Sequence, residues 1–107
     1  MKLITKEILK AFEKQGDTSK KMADQITVIC KLFNPMGAAT WYLYDKEDDD
    51  RYWCFANLGD PSFAELGLVS LSELQSIKIA GVGIERDLYF EPQNLQNIID
   101  TVYEEIT

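Results

Sequence analysis

Three short runs of β-branched and aromatic residues follow one another in the middle of the chain, and they limit the possible folds more than any other feature. The runs are ITVICKLF (26–33), AATWYLY (38–44) and RYWCFANL (51–58). Asn-Pro-Met-Gly (34–37) is a turn signal between the first two, and the charged DKEDDD (45–50) joins the second to the third. Because connections this short join antiparallel neighbours, the sequence predicts an antiparallel meander.

A helix is predicted at each end of the chain. Thr5 is suited to be the N-cap of an amphipathic helix over residues 5–15, which Gly16 ends. Pro92 suits the start of the last helix, since proline is favoured at the first helical position. The apolar residues that recur at helical spacing after it are Leu95, Ile98, Ile99, Val102 and Ile106.

A short strand followed by a short helix is predicted in ELGLVSLSELQSI (65–77). Ser70 and Glu73 have the spacing of a capping box, which predicts the helix near 71–76. The strands run consecutively and do not alternate with long helices, so the predicted class is α+β. We expect a single domain, 1–107, in which the N- and C-terminal helices pack on one face of an antiparallel β-meander sheet.

The chain has no histidine, which excludes the commonest catalytic arrangements. Histidine-dependent triads, a histidine general base near neutral pH and histidine metal ligands are all ruled out. Cys30 and Cys54 lie far apart in apolar runs, which favours two buried thiols over a disulfide or a zinc site. We therefore name no catalytic residue, and we expect no cofactor and no metal.

The net charge of −7 is unevenly distributed along the chain. Residues 1–31 carry seven lysines against four acids, whereas residues 32–107 carry four basic groups against fourteen acids. An acidic body repels nucleic acid, so we expect no direct nucleic-acid binding and favour a protein partner. No apolar stretch is long enough to cross a bilayer and no secretory signal begins the chain, so we expect a cytoplasmic protein without a membrane contact.

The segment IERDLYFE (84–91) is the most distinctive stretch of the sequence. In an extended segment, Arg86 lies on the same side as three apolar residues. A guanidinium in apolar surroundings needs a partner, so one interpretation is an internal ion pair with Glu65 or Glu73. The other interpretation is a site in which Arg86 binds an anionic group through two parallel hydrogen bonds.

The other side of the extended segment is acidic. It presents Glu85, Asp87, Tyr89 and Glu91, which together with Arg86 are candidate binding residues. Solvated acids on an exposed strand are the common explanation of such a pattern. The alternative function is a small metal-dependent hydrolase or nuclease that holds Mg²⁺ with the carboxylates of segment 85–91.

Aromatic residues of the alternating strands provide a second candidate surface. Core packing explains most of them, because half of the side chains of each strand face inward. Tyr42, Tyr44 and Tyr52 are candidates for an exposed aromatic surface rimmed by acids, which suits a protein partner.

Four stretches carry a resemblance to a known family. They are LITKEI, KLFNP followed by TWY, ELGLVSLSEL, and IERDLYFEP. In these motifs the chain is similar to an uncharacterised family of small bacterial proteins, a domain of unknown function that is common on phages, plasmids and conjugative elements. Leu68 stands where a tyrosine is usual, and EKQGDTSKKMADQ replaces a more proline-rich stretch. The resemblance implies a bacterial cytosolic protein carried on mobile DNA, with no reaction attached.

Together these features favour a non-catalytic accessory protein that binds another macromolecule. A sharper hypothesis is that its acidic surface imitates DNA phosphates and engages a nucleic-acid-binding protein.

Overall fold

The structure is a computed structural model and describes residues 1–106. Within this part of the chain, an antiparallel sheet of five strands is combined with three helices, which confirms the α+β class. The helices are α1 (Lys6–Gln15), α2 (Leu71–Ser76) and α3 (Leu95–Glu104). The strands are β1 (Thr27–Val28), β2 (Cys30–Phe33), β3 (Thr40–Lys46), β4 (Arg51–Asn57), β5 (Glu65–Ser70), β6 (Lys78–Ile79), β7 (Val82–Gly83), β8 (Glu85–Arg86) and β9 (Gln93–Asn94).

The predicted meander forms the centre of the main sheet. The strands β2, β3 and β4 are consecutive antiparallel neighbours, and the full order is β5-β4-β3-β2-β8. The first predicted run is interrupted at Ile29, so that β1 pairs with β9 while β2 pairs with β3. A bulge in β3 between Leu43 and Asp45 makes Tyr44 an extra residue relative to β4.

The predicted helix caps form at three positions. Thr5 Oγ1 accepts a hydrogen bond from the N–H of Ile8 over 3.2 Å. Gly16 ends α1 with φ at 72°, a conformation that favours glycine. Ser70 Oγ accepts from the N–H of Glu73 over 3.2 Å at the start of α2. Local sequence signals therefore fix these boundaries.

The last helix begins later than predicted. It starts at Leu95 because Asn94 is its N-cap, with Asn94 Oδ1 accepting from the N–H of Gln96 over 2.9 Å. Pro92 precedes β9 and does not occupy the first helical position. Ile106 lies beyond α3 and is about half exposed, so it does not extend the apolar face of the helix.

The core is divided between the two faces of the sheet. Alternate residues of β3 and β4 belong to two separate apolar clusters, one with α1 and the other with α3. In the first cluster the rings of Phe12 and Tyr52 lie 5.3 Å apart, and in the second Ile98 and Val102 of α3 are buried. The prediction that both terminal helices pack on one face is therefore wrong: α1 and α3 cover opposite faces. Each large apolar side chain buried in these clusters contributes roughly 1.5–3 kcal/mol.

The segment 84–91 is extended only at its start. Its strand β8 pairs with β2, and the chain then turns. The N–H of Phe90 donates to the Asp87 carbonyl oxygen over 3.3 Å, and the N–H of Tyr89 donates to Asp87 Oδ1 over 2.9 Å. The prediction of an extended segment throughout is wrong beyond β8, because the Asp87 side chain closes a turn.

None of the helices in residues 1–106 combines the length and the apolar character that a membrane span requires.

Candidate binding groove

A groove of about 900 Å³ opens where the end of α1 and the connector after it (16–26) meet β3 and β4. Its volume lies in the range of pockets that hold small molecules or parts of a peptide. Apolar side chains from α1, the connector, the strands β3, β4 and β5, and α3 form its floor. They are Phe12, Ile26, Tyr44, Trp53, Leu66 and Leu95.

Gln15 fixes the end of α1 over the sheet. Its Nε2 donates to the carbonyl oxygens of Thr27 and Tyr44 over 2.9 and 2.7 Å. Its Oε1 accepts from the N–H of Thr27 over 2.8 Å. One amide side chain thus satisfies three main-chain groups at the point where the bulge of β3 leaves the regular ladder.

Thr18 anchors the connector to the sheet at the wall of the groove. Its N–H and its hydroxyl both donate to Asp45 Oδ2, over 2.9 and 2.6 Å. Thr18 is buried although it is polar, and these charge-assisted hydrogen bonds offset the cost of removing it from water.

Trp53 and Tyr44 are the two aromatic residues of the floor that carry a polar atom. Trp53 Nε1 donates to Glu47 Oε2 over 2.8 Å, so the indole is held against the β3–β4 connection. Burial raises the pKa of Tyr44, with smaller contributions from Cys54 and Asp45. Tyr44 therefore stays a neutral phenol at physiological pH, and it belongs to the buried base of the groove.

The rim of the groove is charged, with more acids than bases. Hydrogen bonds from the N–H and the hydroxyl of Ser19 lower the pKa of Asp17, which stays ionised at neutral pH. The charged residues of the rim are Glu13, Asp17, Asp45 and Glu47 on the acidic side and Lys21 and Lys46 on the basic side. Since Lys46 also pairs with Asp49 over 3.2 Å, the local potential is negative.

The acidic β3–β4 connection is ordered by its own side chains. Asp48 Oδ2 pairs with Arg51 Nε over 2.7 Å, and hydrogen bonds from the Asp50 N–H and from Arg51 lower the pKa of Asp48 to about 2. Asp50 accepts from the hydroxyl groups of Ser70 and Ser72 over 2.6 and 2.9 Å. These bonds hold the connection against the start of α2.

Arg86 has main-chain partners. Its Nη1 donates to the carbonyl oxygens of Lys2 and Leu3, the latter over 3.0 Å. No carboxylate lies within salt-bridge distance of its guanidinium in residues 1–106, so the predicted ion pair with Glu65 or Glu73 is wrong. The N-terminal segment also contacts the main chain of β8, where the N–H of Arg86 donates to Met1 Sδ over 3.2 Å.

The turn after β8 brings Tyr42 together with Asp87. The carboxylate of Asp87 pairs with Lys31 Nζ over 3.6 Å, and Lys31 Nζ lies 5.7 Å from the centre of the Tyr42 ring. The Tyr42 ring also lies 6.3 Å from that of Phe90. Burial raises the pKa of half-buried Tyr42, and the nearby acids Glu105 and Asp87 raise it further. At the tip of the turn Tyr89 is 95% exposed.

The predicted aromatic surface does not form. Tyr52 is 1% exposed and Tyr44 is 7% exposed, so both belong to the core. Only Tyr42 of the three lies near segment 84–91. The alternation predicted an outward set of aromatic residues, but the two terminal helices cover both faces of the sheet and bury both sets.

The candidate residues Glu85, Asp87 and Glu91 are not gathered into a metal-binding cluster. Among residues 1–106, no group of three or more cysteine or acidic side chains is placed to hold a metal ion. Glu85 is half-buried on β8, whereas Glu91 is exposed beyond the turn. Their role in binding stays a prediction.

Sequence reasoning missed the groove because its walls come from distant parts of the chain. Nothing in the composition of the connector indicates that Thr18 bonds to Asp45 across 27 residues. Trp53 was the one available signal, since a tryptophan beside an acidic connection suits a partly exposed site.

Comparison with protein families gives a match over most of the chain. The family described as "Protein of unknown function (DUF2958)" matches residues 3–103. The chain belongs to this family. The DUF2958 match spans the groove, β8, α1, α2 and all of α3 except its last residue, and the family description states no activity. Neither the curated proteins nor the solved structures contain a match to this DUF2958 chain.

Proposed function

We propose that this protein is a non-catalytic module that binds another macromolecule, and that the partner is a basic, nucleic-acid-binding protein. The observation that carries the proposal is the groove, in which an apolar and aromatic floor lies inside a rim of four acids and two lysines. Aromatic anchors surrounded by charge are typical of protein-binding surfaces. A negative rim favours a basic partner and disfavours DNA or RNA itself.

The chemistry of the titratable groups supports a binding role. Burial raises the pKa values of Cys30 and Cys54 to about 12, so neither thiol is poised as a nucleophile. The aspartates whose pKa values are shifted are shifted downward by hydrogen bonds, as in Asp17 and Asp48. A general acid at neutral pH would require a raised pKa instead.

The resemblance of the sequence motifs to a family common on phages, plasmids and conjugative elements supports a finer proposal. The protein then serves as a cytoplasmic accessory factor of a bacterial mobile element, and its target is a protein that handles the DNA of the host or of the element. The acidic rim competes with DNA phosphates for the basic surface of that target.

The test is capture of basic DNA-binding proteins from a bacterial lysate at low and high salt, with identification by mass spectrometry. The variant is Glu13→Lys on the rim, and the matched control is Glu7→Lys, on the same helix but outside the groove. We expect the parent and Glu7→Lys to capture the same basic proteins at low salt, Glu13→Lys to lose most of that capture, and high salt to abolish it. Equal capture by both variants, or none by the parent, would contradict the proposal.

A further inference from the structure

One edge of the main sheet is open. The strand β5 pairs with β4 alone, and within residues 1–106 its residues 65–69 make no main-chain hydrogen bond outside the sheet. The opposite edge differs, because β8 is only two residues long and is covered by the N-terminal segment, through Arg86 and Leu3. An open edge presents a row of unpaired N–H and C=O groups to another strand.

The sequence of β5 lacks the features that prevent pairing. The six residues ELGLVS contain no lysine and no proline, and the register with β4 runs from Glu65 to Ser70 without a bulge. Natural edge strands are usually protected by one of these features. The single charge of the strand, Glu65, is at its first position.

Exposed apolar side chains accompany the open edge. Leu66 and Leu68 pair with Phe55 and Trp53 of β4, so they lie on the same face of the sheet as α3. They are 49% and 42% exposed. Phe63, just before the strand, is 80% exposed. Apolar surface beside unpaired main-chain groups is suited to burial against a second strand.

We propose that β5 pairs with β5 of a second copy of this chain across a two-fold axis, which joins two five-stranded sheets into one of ten strands. An axis perpendicular to the sheet keeps each face continuous, so residues that lie opposite each other point to the same face. The register that covers both leucines places Leu66 opposite Leu68 of the second copy and Gly67 opposite its own equivalent. Glu65 then lies opposite Val69, and no two like charges meet.

The second copy suits this edge better than a basic peptide does. The four central residues of β5 are uncharged, whereas the acidic rim belongs to the groove. The dimer is also separable from the proposed function by its salt dependence. Two copies of net charge −7 repel each other, so added salt strengthens the dimer, while it weakens capture of a basic partner.

The register is tested by a cysteine at the axis. A Cβ atom at Gly67 meets no atom within 4 Å, and this glycine does not have positive φ, so Gly67→Cys is tolerated. Two cysteines directly opposite each other in an antiparallel pair are close enough for a disulfide. We expect Gly67→Cys to form a cross-linked dimer on mild oxidation. Because position 67 lies directly opposite Cys54 of β4, both cysteine variants are made in a Cys54→Ala background, and Cys30 does not interfere because it is 2% exposed.

Val69→Cys is the matched control, since it points to the same face as position 67 but lies opposite Glu65, away from its own equivalent. We expect it to stay uncross-linked under the same conditions. In parallel, light scattering of the parent protein should show a mass that rises with concentration and with salt toward twice 12.2 kDa. Leu68→Lys, at a position that does not line the groove, should stay monomeric at concentrations where the parent dimerises, with an unchanged circular dichroism spectrum.

Three results would overturn the proposal. They are a parent mass that remains that of the monomer at millimolar concentration, failure of Gly67→Cys to cross-link, and cross-linking of Val69→Cys to the same extent. Loss of the dimer with retained capture of basic proteins would leave the proposed function standing, and the reverse result would leave the dimer standing.

Discussion

Arg86 Nη1 donates to the main-chain carbonyl oxygen of Leu3 over 3.0 Å, across 83 residues of sequence. A second bond joins the same nitrogen to the carbonyl oxygen of Lys2. The N-terminal segment is thereby fastened to β8, and Leu3 is held in the core cluster of α1. The distinctive arginine of the sequence therefore closes the fold by binding main-chain oxygens.

This contact predicts the effect of removing the guanidinium. Arg86→Ala should lower the free energy of unfolding by about 1–3 kcal/mol, because two carbonyl acceptors lose a charged donor. The measurement is urea unfolding followed by tryptophan fluorescence. Arg51→Ala is the control, since Arg51 forms an exposed pair with Asp48, and it should cost less. A loss below about 0.5 kcal/mol for Arg86→Ala, the range of ordinary surface changes, would contradict the assignment.

The two thiols should be unreactive in the folded protein. Burial raises the pKa values of Cys30 and Cys54 to about 12, and both side chains are enclosed in the α1 cluster. At pH 8 we expect a thiol reagent such as Ellman's reagent to label neither cysteine in buffer and both in concentrated urea. Rapid labelling of either one under native conditions would show that the α1 cluster opens.

The β3–β4 connection should make stability depend on acid. The folded pKa of Asp48 is about 2, below the ordinary value of 3.8. The stabilisation from this carboxylate is therefore complete above about pH 4 and is lost as the pH falls toward 2. Urea midpoints measured between pH 5 and about 2 should fall less steeply for Asp48→Asn than for the parent.

Asp49→Asn provides the comparison for this experiment. The Asp49 side chain is fully exposed and pairs only with Lys46 among the contacts of the connection. Asp49→Asn therefore controls for the loss of one negative charge in the connection. Equal slopes for all three proteins would show that the bonds of Asp48 do not contribute to folding.

Two left-handed positions should respond in opposite directions to glycine–alanine exchange. Gly16 has φ 72° and ψ −161°, a region that is essentially restricted to glycine, and a Cβ there meets no atom within 4 Å. Gly16→Ala should therefore cost about 1–3 kcal/mol through backbone strain alone. Ala80 has φ 53° in the turn between β6 and β7, so Ala80→Gly should stabilise by roughly 0.5–1 kcal/mol. Thermal melts of both variants test the pair, and a shift in the same direction would contradict it.

The parts of the fold that the sequence predicts are those with local causes. The meander follows from runs and turns, and the caps at Thr5 and Ser70 follow from residues within four positions of their partners. Long-range contacts leave no such trace. Thr18 with Asp45 and Arg86 with Leu3 join segments 27 and 83 residues apart, and in each case the partner is decided by how the layers pack.

Alternation in a strand also fails to show which face is exposed. The pattern around Tyr42, Tyr44 and Tyr52 is correct for two opposite faces, but α1 and α3 cover one face each. Both sets of side chains are then at least partly buried, as Tyr42 and Tyr44 are on the face of α3 and Tyr52 is on the face of α1. The groove was missed for a related reason, because its floor combines residues from both clusters and from β5.

The alternative function, a metal-dependent hydrolase, predicts a measurable response to metal. A site that binds Mg²⁺, Mn²⁺ or Ca²⁺ only in the folded state adds about 2.7 kcal/mol of stability when the metal exceeds its dissociation constant a hundredfold. In a domain of this size each kcal/mol raises the melting temperature by about 4–8 °C.

Glu85, Asp87 and Glu91 are not clustered, so we expect no shift in melting temperature with any of the three metals after treatment with a chelator. A shift that Asp87→Asn abolishes, and that Asp100→Asn on α3 leaves intact, would contradict this expectation and favour the hydrolase. Asp87 already pairs with Lys31, so a metal at this position would have to displace that lysine. The metal-induced rise in melting temperature would then be larger in Lys31→Met, which lacks the Lys31–Asp87 pair.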